Sequence, residues 1–133
     1  MALIWAENIE ERTVRNDTFR TVLWTGEHSQ LTVMAIEPGE EIGLEVHPDL
    51  DQFFRLEEGQ ARVEVGESKD DLSEAHDVRA DWAFVVPAGT WHNVVNTGNT
   101  TLKLYSIYSP PNHPAGTVHM TKAEADTAEH AEH

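Results

Sequence analysis

Residues 41–59 run EIGLEVHPDLDQFFRLEEG. Glu45 and His47 are two apart, so on a β-strand their side chains leave one face while Leu44 and Val46 leave the other. Pro48-Asp49-Leu50-Asp51 has the composition of a turn. Beyond it, Gln52, Phe54 and Leu56 share a face of a second strand, Gln52–Glu57. The expectation is a hairpin that brings a carboxylate, an imidazole and an amide to one end, all pointing the same way. Further on, the turn Pro87-Ala88-Gly89 precedes Thr90-Trp91-His92 and aims a second imidazole at the start of another strand. Glu45, His47, Gln52 and His92 together form a candidate donor set for one divalent first-row metal.

Outward from this stretch the chain reads as short strands punctuated by Gly and Pro. Leu3-Ile4-Trp5 is expected to add an edge strand and Glu7–Asp17, polar and without period, to be a connection. Strands are expected at Phe19–Trp24, Leu31–Ile36, Ala61–Val65, Val78–Val86, Trp91–Val95 and Leu102–Tyr108, with an exposed loop over Gly66–His76. No convincing core helix appears, which favours an antiparallel all-β barrel or sandwich. From Ser109 to Gly116 the prolines exclude a sheet interior. Thr121–His133 is Ala- and Glu-rich with Thr121 at an N-cap position, and reads as a short surface helix or disordered segment without a broad apolar face.

The chain has 133 residues, 24 acidic against 9 basic, for a formal charge of −15. That length fits one domain, 1–133, with a barrel core over about 19–109 and a tail over 110–133. An acidic surface repels nucleic acid and anionic membranes, so neither is expected as a partner. Cysteine is absent, which excludes a disulfide framework and a thiolate metal site. Residues 1–8 lack a basic start and a long apolar run, and no stretch has membrane-spanning length, so a cytoplasmic location is expected.

The motifs resemble those of the cupin superfamily. Glu45 and His47 stand in the two positions of its first His-x-His, four residues separate His47 from Gln52, and six separate Gln52 from Gly59. In its second motif Asp81 replaces the first Gly, and Pro87, Gly89, His92 and Asn96 fall in register. The chain departs from the pattern with Glu45 for His, Gln52 for Glu and Asp81 for Gly. The two ligand exchanges offset each other in charge and replace one nitrogen donor by oxygen. The resemblance implies a small double-stranded β-helix, or jelly-roll barrel, holding one divalent transition metal (Fe, Mn, Zn or Ni), and a homodimer.

Phe54, Leu56, Val94 and Asn96 share faces with the candidate ligands and are expected to line a substrate pocket beneath the metal. Phe53 points the opposite way, toward core or subunit packing. Within cupins the chain looks loosely like the stand-alone proteins grouped with mannose-6-phosphate isomerase. Arg55 and Arg62 alternate away from the interior, leaving no evident cation for a phosphate. An isomerase also needs a base that is not a metal ligand. His119 and His113, if the tail crosses the barrel mouth, are the candidates for catalysis. His28, His76, His130 and His133 lie in polar surroundings and receive no role. Three functions stay open: Lewis-acid chemistry on a small carbonyl or hydroxy compound, an Fe(II)-dependent dioxygenase, and a non-catalytic small-molecule-binding cupin with a structural metal.

Overall fold

A computed structural model describes residues 3–132, with side chains through Glu129. The chain opens with helix α1 (Ile9–Arg15), where a connection is expected. Asn8 caps it, its side-chain oxygen accepting from Glu11 N at 3.0 Å, and acidic Glu10 and Glu11 in the first turn with basic Arg12 and Arg15 in the last suit the helix dipole. A capping residue with charges at the favourable ends marked this helix in place of an apolar period. Leu3-Ile4-Trp5, expected as an edge strand, is not one, and Leu3 and Ile4 are exposed.

Among the described residues nine strands follow: β1 (Arg20–Thr25), β2 (Gln30–Ile36), β3 (Asp51–Glu58), β4 (Gln60–Gly66), β5 (Glu74–Arg79), β6 (Ala83–Val86), β7 (Trp91–Asn96), β8 (Leu102–Ser109) and β9 (Val118–His119). They form two antiparallel sheets, ordered β6-β3-β8-β2-β1-β9 and β5-β4-β7, with helix α2 (Lys122–Glu132) at the end. This is the expected all-β jelly roll. The core between the sheets takes inward residues from both, among them Met34, Ile36, Phe54, Leu56, Val63, Val94 and Leu104. On the outer face α1 packs against β2, β3 and β8, and outward-pointing Lys103 donates to the Asn16 carbonyl. Phe53 is half-buried on that outer face, 6.2 Å from the Tyr105 ring.

Two expectations about strands change. Val78–Val86 is not continuous: the chain turns at 80–82, where Asp81 takes φ 75°. That left-handed conformation explains why glycine suits the position, and Asp is among the residues that tolerate it. Its carboxylate also accepts from Arg55 at 3.3 Å. The larger change concerns 41–47, which does not pair with β3 as a hairpin. It bridges β7 at Glu41↔Val95 and Glu45↔His92, while β3 pairs with β6 and β8. The 48–50 turn therefore carries the chain from one sheet to the other.

After the last long strand, residues 110–117 run back across the end of the sandwich as a strap. Buried Gln30 holds it. Its Nε2 donates to Thr25 Oγ1 at 2.9 Å and to the His113 carbonyl at 2.7 Å, and its Oε1 accepts from Asn112 N at 3.0 Å and His113 N at 2.9 Å. β9 then pairs with β1 through Arg20↔His119 and Thr21↔Val118. Thr121 caps α2 as expected, accepting from Glu124 N at 3.1 Å. Against expectation α2 reaches the interior, through Ala125, which is 3% exposed and part of the core. His130 and His133, given no role above, lie outside the described side chains.

An apolar residue in place of Gln30 would strand two buried N–H groups and a carbonyl. Gln30→Ala should cost about 2–3 kcal/mol in urea unfolding and expose the strap to proteases. A loss under about 0.5 kcal/mol with unchanged proteolysis would show that the amide does not hold the strap.

Candidate metal centre

Glu45 and His92 exchange two backbone hydrogen bonds, Glu45 N to the His92 carbonyl and His92 N to the Glu45 carbonyl, each 2.9 Å. Directly opposed residues of an antiparallel pair put their side chains on the same face. His47, two residues from Glu45, joins them, and Gly89 N donates to the His47 carbonyl at 2.9 Å. Ala88 N donates to Asp51 Oδ1 at 2.9 Å, so the Pro-Ala-Gly turn is tied to both sides of the 48–50 crossover. Gly43 N and Ile42 N, bonded to Asn93 Oδ1 and the Val94 carbonyl, fix the rest of the segment. The backbone alone thus brings the two motifs together.

One ligand atom from each of Glu45, His47 and His92 lies within 4.8 Å of the others. The His47 and His92 rings are 5.5 Å apart. His47 Nε2 is 3.3 Å from Glu45 Oε2, yet not aligned as a hydrogen bond, and both His47 Nε2 and His92 Nε2 are buried without a hydrogen-bond partner among the described residues. Such atoms are costly to leave unmatched. The Thr90 carbonyl, 3.1 Å from His92 Nδ1, accepts only, so it holds the proton on Nδ1 and leaves the Nε2 lone pair free. Burial also lowers the His92 pKa, more than Thr90 and Glu45 raise it, and keeps the ring neutral. Burial pushes the Glu45 carboxyl up, but the adjacent His47 and then the more distant Arg20 charge outweigh it and hold the group below the ordinary carboxylate range. Two imidazoles and one ionised carboxylate are a donor set suited to a divalent transition metal.

Gln52 is 3% exposed, with Phe54 and Leu56 inward on the same face. Its Nε2 donates to Ser106 Oγ at 3.3 Å, which leaves Oε1 as the available end, and Oε1 is likewise buried without a partner. Phe54, Leu56, Val94 and Asn96 are not cavity walls. The first three are core residues, Phe54 stacked on Phe84 at 4.6 Å. Asn96 spends its amide on the backbone, donating to the Ile36 and Thr100 carbonyls and accepting from Gly98 N. Their faces were read correctly, but that face is filled by the opposite sheet.

The cavity lies instead on the strap side. It has a volume of about 440 Å³ and is lined by Arg20, Glu45, His47, Trp91, His113 and His119, among others. The tail histidines therefore do come to the candidate metal end, their rings 6.4 Å apart. Burial, with Arg20 adding to it, lowers His113 to about 3. A ring this hard to protonate is unsuited to exchanging a proton near pH 7, which counts against the catalytic role expected of His113. His113 Nε2 instead meets the Tyr108 hydroxyl at 3.2 Å, and burial raises Tyr108 so that it stays a phenol. Arg20, missed in the sequence, is a cation at the interior after all. The available signal was its position in phase with Val22 on β1, where alternation calls for an apolar residue.

Neutral His113 makes stability pH-dependent. The unfolded chain takes a proton near 6.5, whereas the folded chain resists it to about 3. The stabilisation is therefore complete above 6.5 and lost as pH falls toward 3, with a slope of up to about 1.4 kcal/mol per pH unit for that proton. Urea unfolding between about pH 7 and 4.5 should show a shallower decline in His113→Gln than in the parent chain. Parallel declines would contradict the assignment.

Residues 32–108 match the cupin domain family. The chain is 62% identical over 122 residues to the uncharacterized protein YrkC of Bacillus subtilis, covering 92% of this chain and 66% of YrkC, so it spans just under two thirds of that relative. An uncharacterized protein of Acanthamoeba polyphaga mimivirus is 40% identical over 123 residues, covering 92% of this chain and 75% of its own. The crystal structure of BH2720 from Bacillus halodurans has a TM-score of 0.92 at 58% identity, over 92% of this chain and 93% of that one. KdgF from Halomonas, at 20% identity and a TM-score of 0.61 over 70% of this chain and 80% of its own, shares the fold. By its matched residues, its relatives and its two facing sheets, this chain belongs to the cupin family.

Proposed function

We propose that the chain is a metal-dependent enzyme acting on a small carbonyl or hydroxy compound. The observation that carries this reading is the convergence of two unpartnered, buried imidazole nitrogens with an ionised carboxylate beside a cavity of small-molecule size. Glu45, His47 and His92 would hold one divalent transition metal, with Gln52 Oε1 as a weaker fourth donor. When bound, the metal would supply Lewis-acid polarisation of a substrate oxygen.

The chain's own groups take the remaining tasks. Glu45 contributes the anionic donor and is thereby committed, so it is not the base. Thr90 keeps the His92 proton on Nδ1. Neutral His113, backed by the buried Tyr108 hydroxyl, provides a hydrogen-bonding wall, and the strap would limit the access of water to it. Of the two tail histidines we assign proton transfer to His119, as donor of its Nε2 proton, since its Nδ1 accepts from Arg20 and His113 protonates too weakly. A small-molecule ligand, a cytoplasmic setting suited to a cysteine-free chain, and a homodimer through the exposed Trp82 and Val85 belong to the same proposal.

The two-imidazole, one-carboxylate composition also suits ferrous iron in a dioxygenase, so oxygen dependence separates the readings. Metal-loaded protein should convert a member of a panel of small hydroxy ketones, sugars and hydroxy acids under argon, or exchange deuterium beside the carbonyl, as followed by NMR. His92→Ala should abolish this. Turnover only with stoichiometric oxygen uptake would replace the proposal by the dioxygenase reading, and binding without any turnover would replace it by a binding protein.

A further inference from the structure

Arg20 is 5% exposed, in a protein with far more acidic than basic residues, and yet it forms no ion pair among the described residues. Buried charges are ordinarily matched by an opposite charge. Arg55 and Arg62, which face outward, illustrate the contrast: Arg55 sits 3.0 Å from Glu57 and 3.3 Å from Asp81, and Arg62 lies 3.7 Å from Glu64. Among the described residues the Arg20 guanidinium has only uncharged neighbours in direct contact, the Tyr108 hydroxyl among them. One Nη donates to His119 Nδ1 at 3.2 Å, and the Phe19 ring lies 5.4 Å from its central carbon. Its Nε is buried with no hydrogen-bond partner. Arginine donates and never accepts, so His119 Nδ1 is the acceptor. The histidine is thus oriented by Arg20 and does not neutralise it.

We propose that Arg20 is the anchor of an anion subsite, and that its ligand is a small monocarboxylate carrying a hydroxyl or carbonyl oxygen on the adjacent carbon. The guanidinium lines the same cavity as Glu45 and His47. Its planar fork matches a carboxylate in a two-bond arrangement. A phosphate dianion fits less well, because a single cation faces the cavity while Glu45 and Glu129 also line it. The Arg20 charge acts on Glu45 from a distance without contact. Because Glu45 makes no ion pair with it, the Arg20 fork stays open to a ligand whether or not a metal holds that carboxylate. The adjacent oxygen of the ligand is the atom that would reach the Glu45, His47 and His92 cluster. This second half rests on the metal-centre reading of the proposed function, whereas the carboxylate subsite does not.

Lactate and its uncharged amide, lactamide, differ only in the group that Arg20 would recognise. Calorimetric titration of the full chain, metal-free and manganese-loaded, should show lactate binding roughly tenfold more tightly than lactamide, as expected for a charge-assisted pair. Arg20→Gln should bring the two within twofold, and Arg20→Lys, a point charge without the fork, should fall between. Manganese binding should be retained in both variants, which a merely structural loss would not preserve. If Arg20→Gln fails to fold, Arg20→Lys decides: full parental discrimination there would refute the fork geometry. Equal affinities for lactate and lactamide in the parent chain, or no lactate binding at millimolar concentration, would overturn the subsite. Discrimination in metal-free protein that never binds manganese would retain the subsite and reject the metal reading instead.

Discussion

The paired backbone hydrogen bonds between Glu45 and His92 are the constraint on which the site depends. They join a segment with no strand of its own to β7, and they set two donor side chains side by side before any ligand is present. The Gly89 N to His47 carbonyl bond adds the third donor through the same backbone logic. A site positioned by main-chain bonds loses little conformational freedom when it engages a ligand. Below it lie Phe54, Val94 and Leu56, so the floor is close-packed core. Polar groups unmatched on such a floor are exceptions to ordinary satisfaction, and here two of them are imidazole nitrogens aimed near one carboxylate.

The opposite wall is built from the tail. Gln30 at the start of β2 ties residues 112–113 across the mouth, and β9 ties His119 beside Arg20. The same stretch that closes the cavity therefore delivers its polar lining. Burying His113 against Tyr108 keeps it neutral, which removes one positive charge from a space that already contains Arg20. Ala125 of α2 docks the end of the chain onto the core. Fold and site share these contacts, and a change in the strap reaches both.

Much of this was legible in the sequence because it follows from a period of two. Glu45 with His47, and Gln52 with Phe54 and Leu56, share faces by spacing alone, and the Pro-Ala-Gly turn announced His92. What spacing does not encode is the partner of each strand. The turn at 48–50 reads equally as a hairpin or as a crossover, and only long-range pairing with β7 distinguishes them. The same gap explains why Phe54, Leu56 and Val94 were expected at a cavity that lies elsewhere. Helix α1 was missed because its signal was a cap and charges at its ends, with no apolar stripe. Arg20 was missed because a single charged residue in phase with an apolar face is easily passed over on a short strand.

Diffraction from crystals of protein loaded with zinc or manganese, collected across the metal absorption edge, tests the central claim most directly. The account predicts one ion bonded by a Glu45 oxygen, His47 Nε2 and His92 Nε2 at about 2.0–2.2 Å, with His92 Nδ1 still facing the Thr90 carbonyl. Full loading with no anomalous peak between these residues, and Glu45 instead aligned in a direct hydrogen bond to His47, would contradict it.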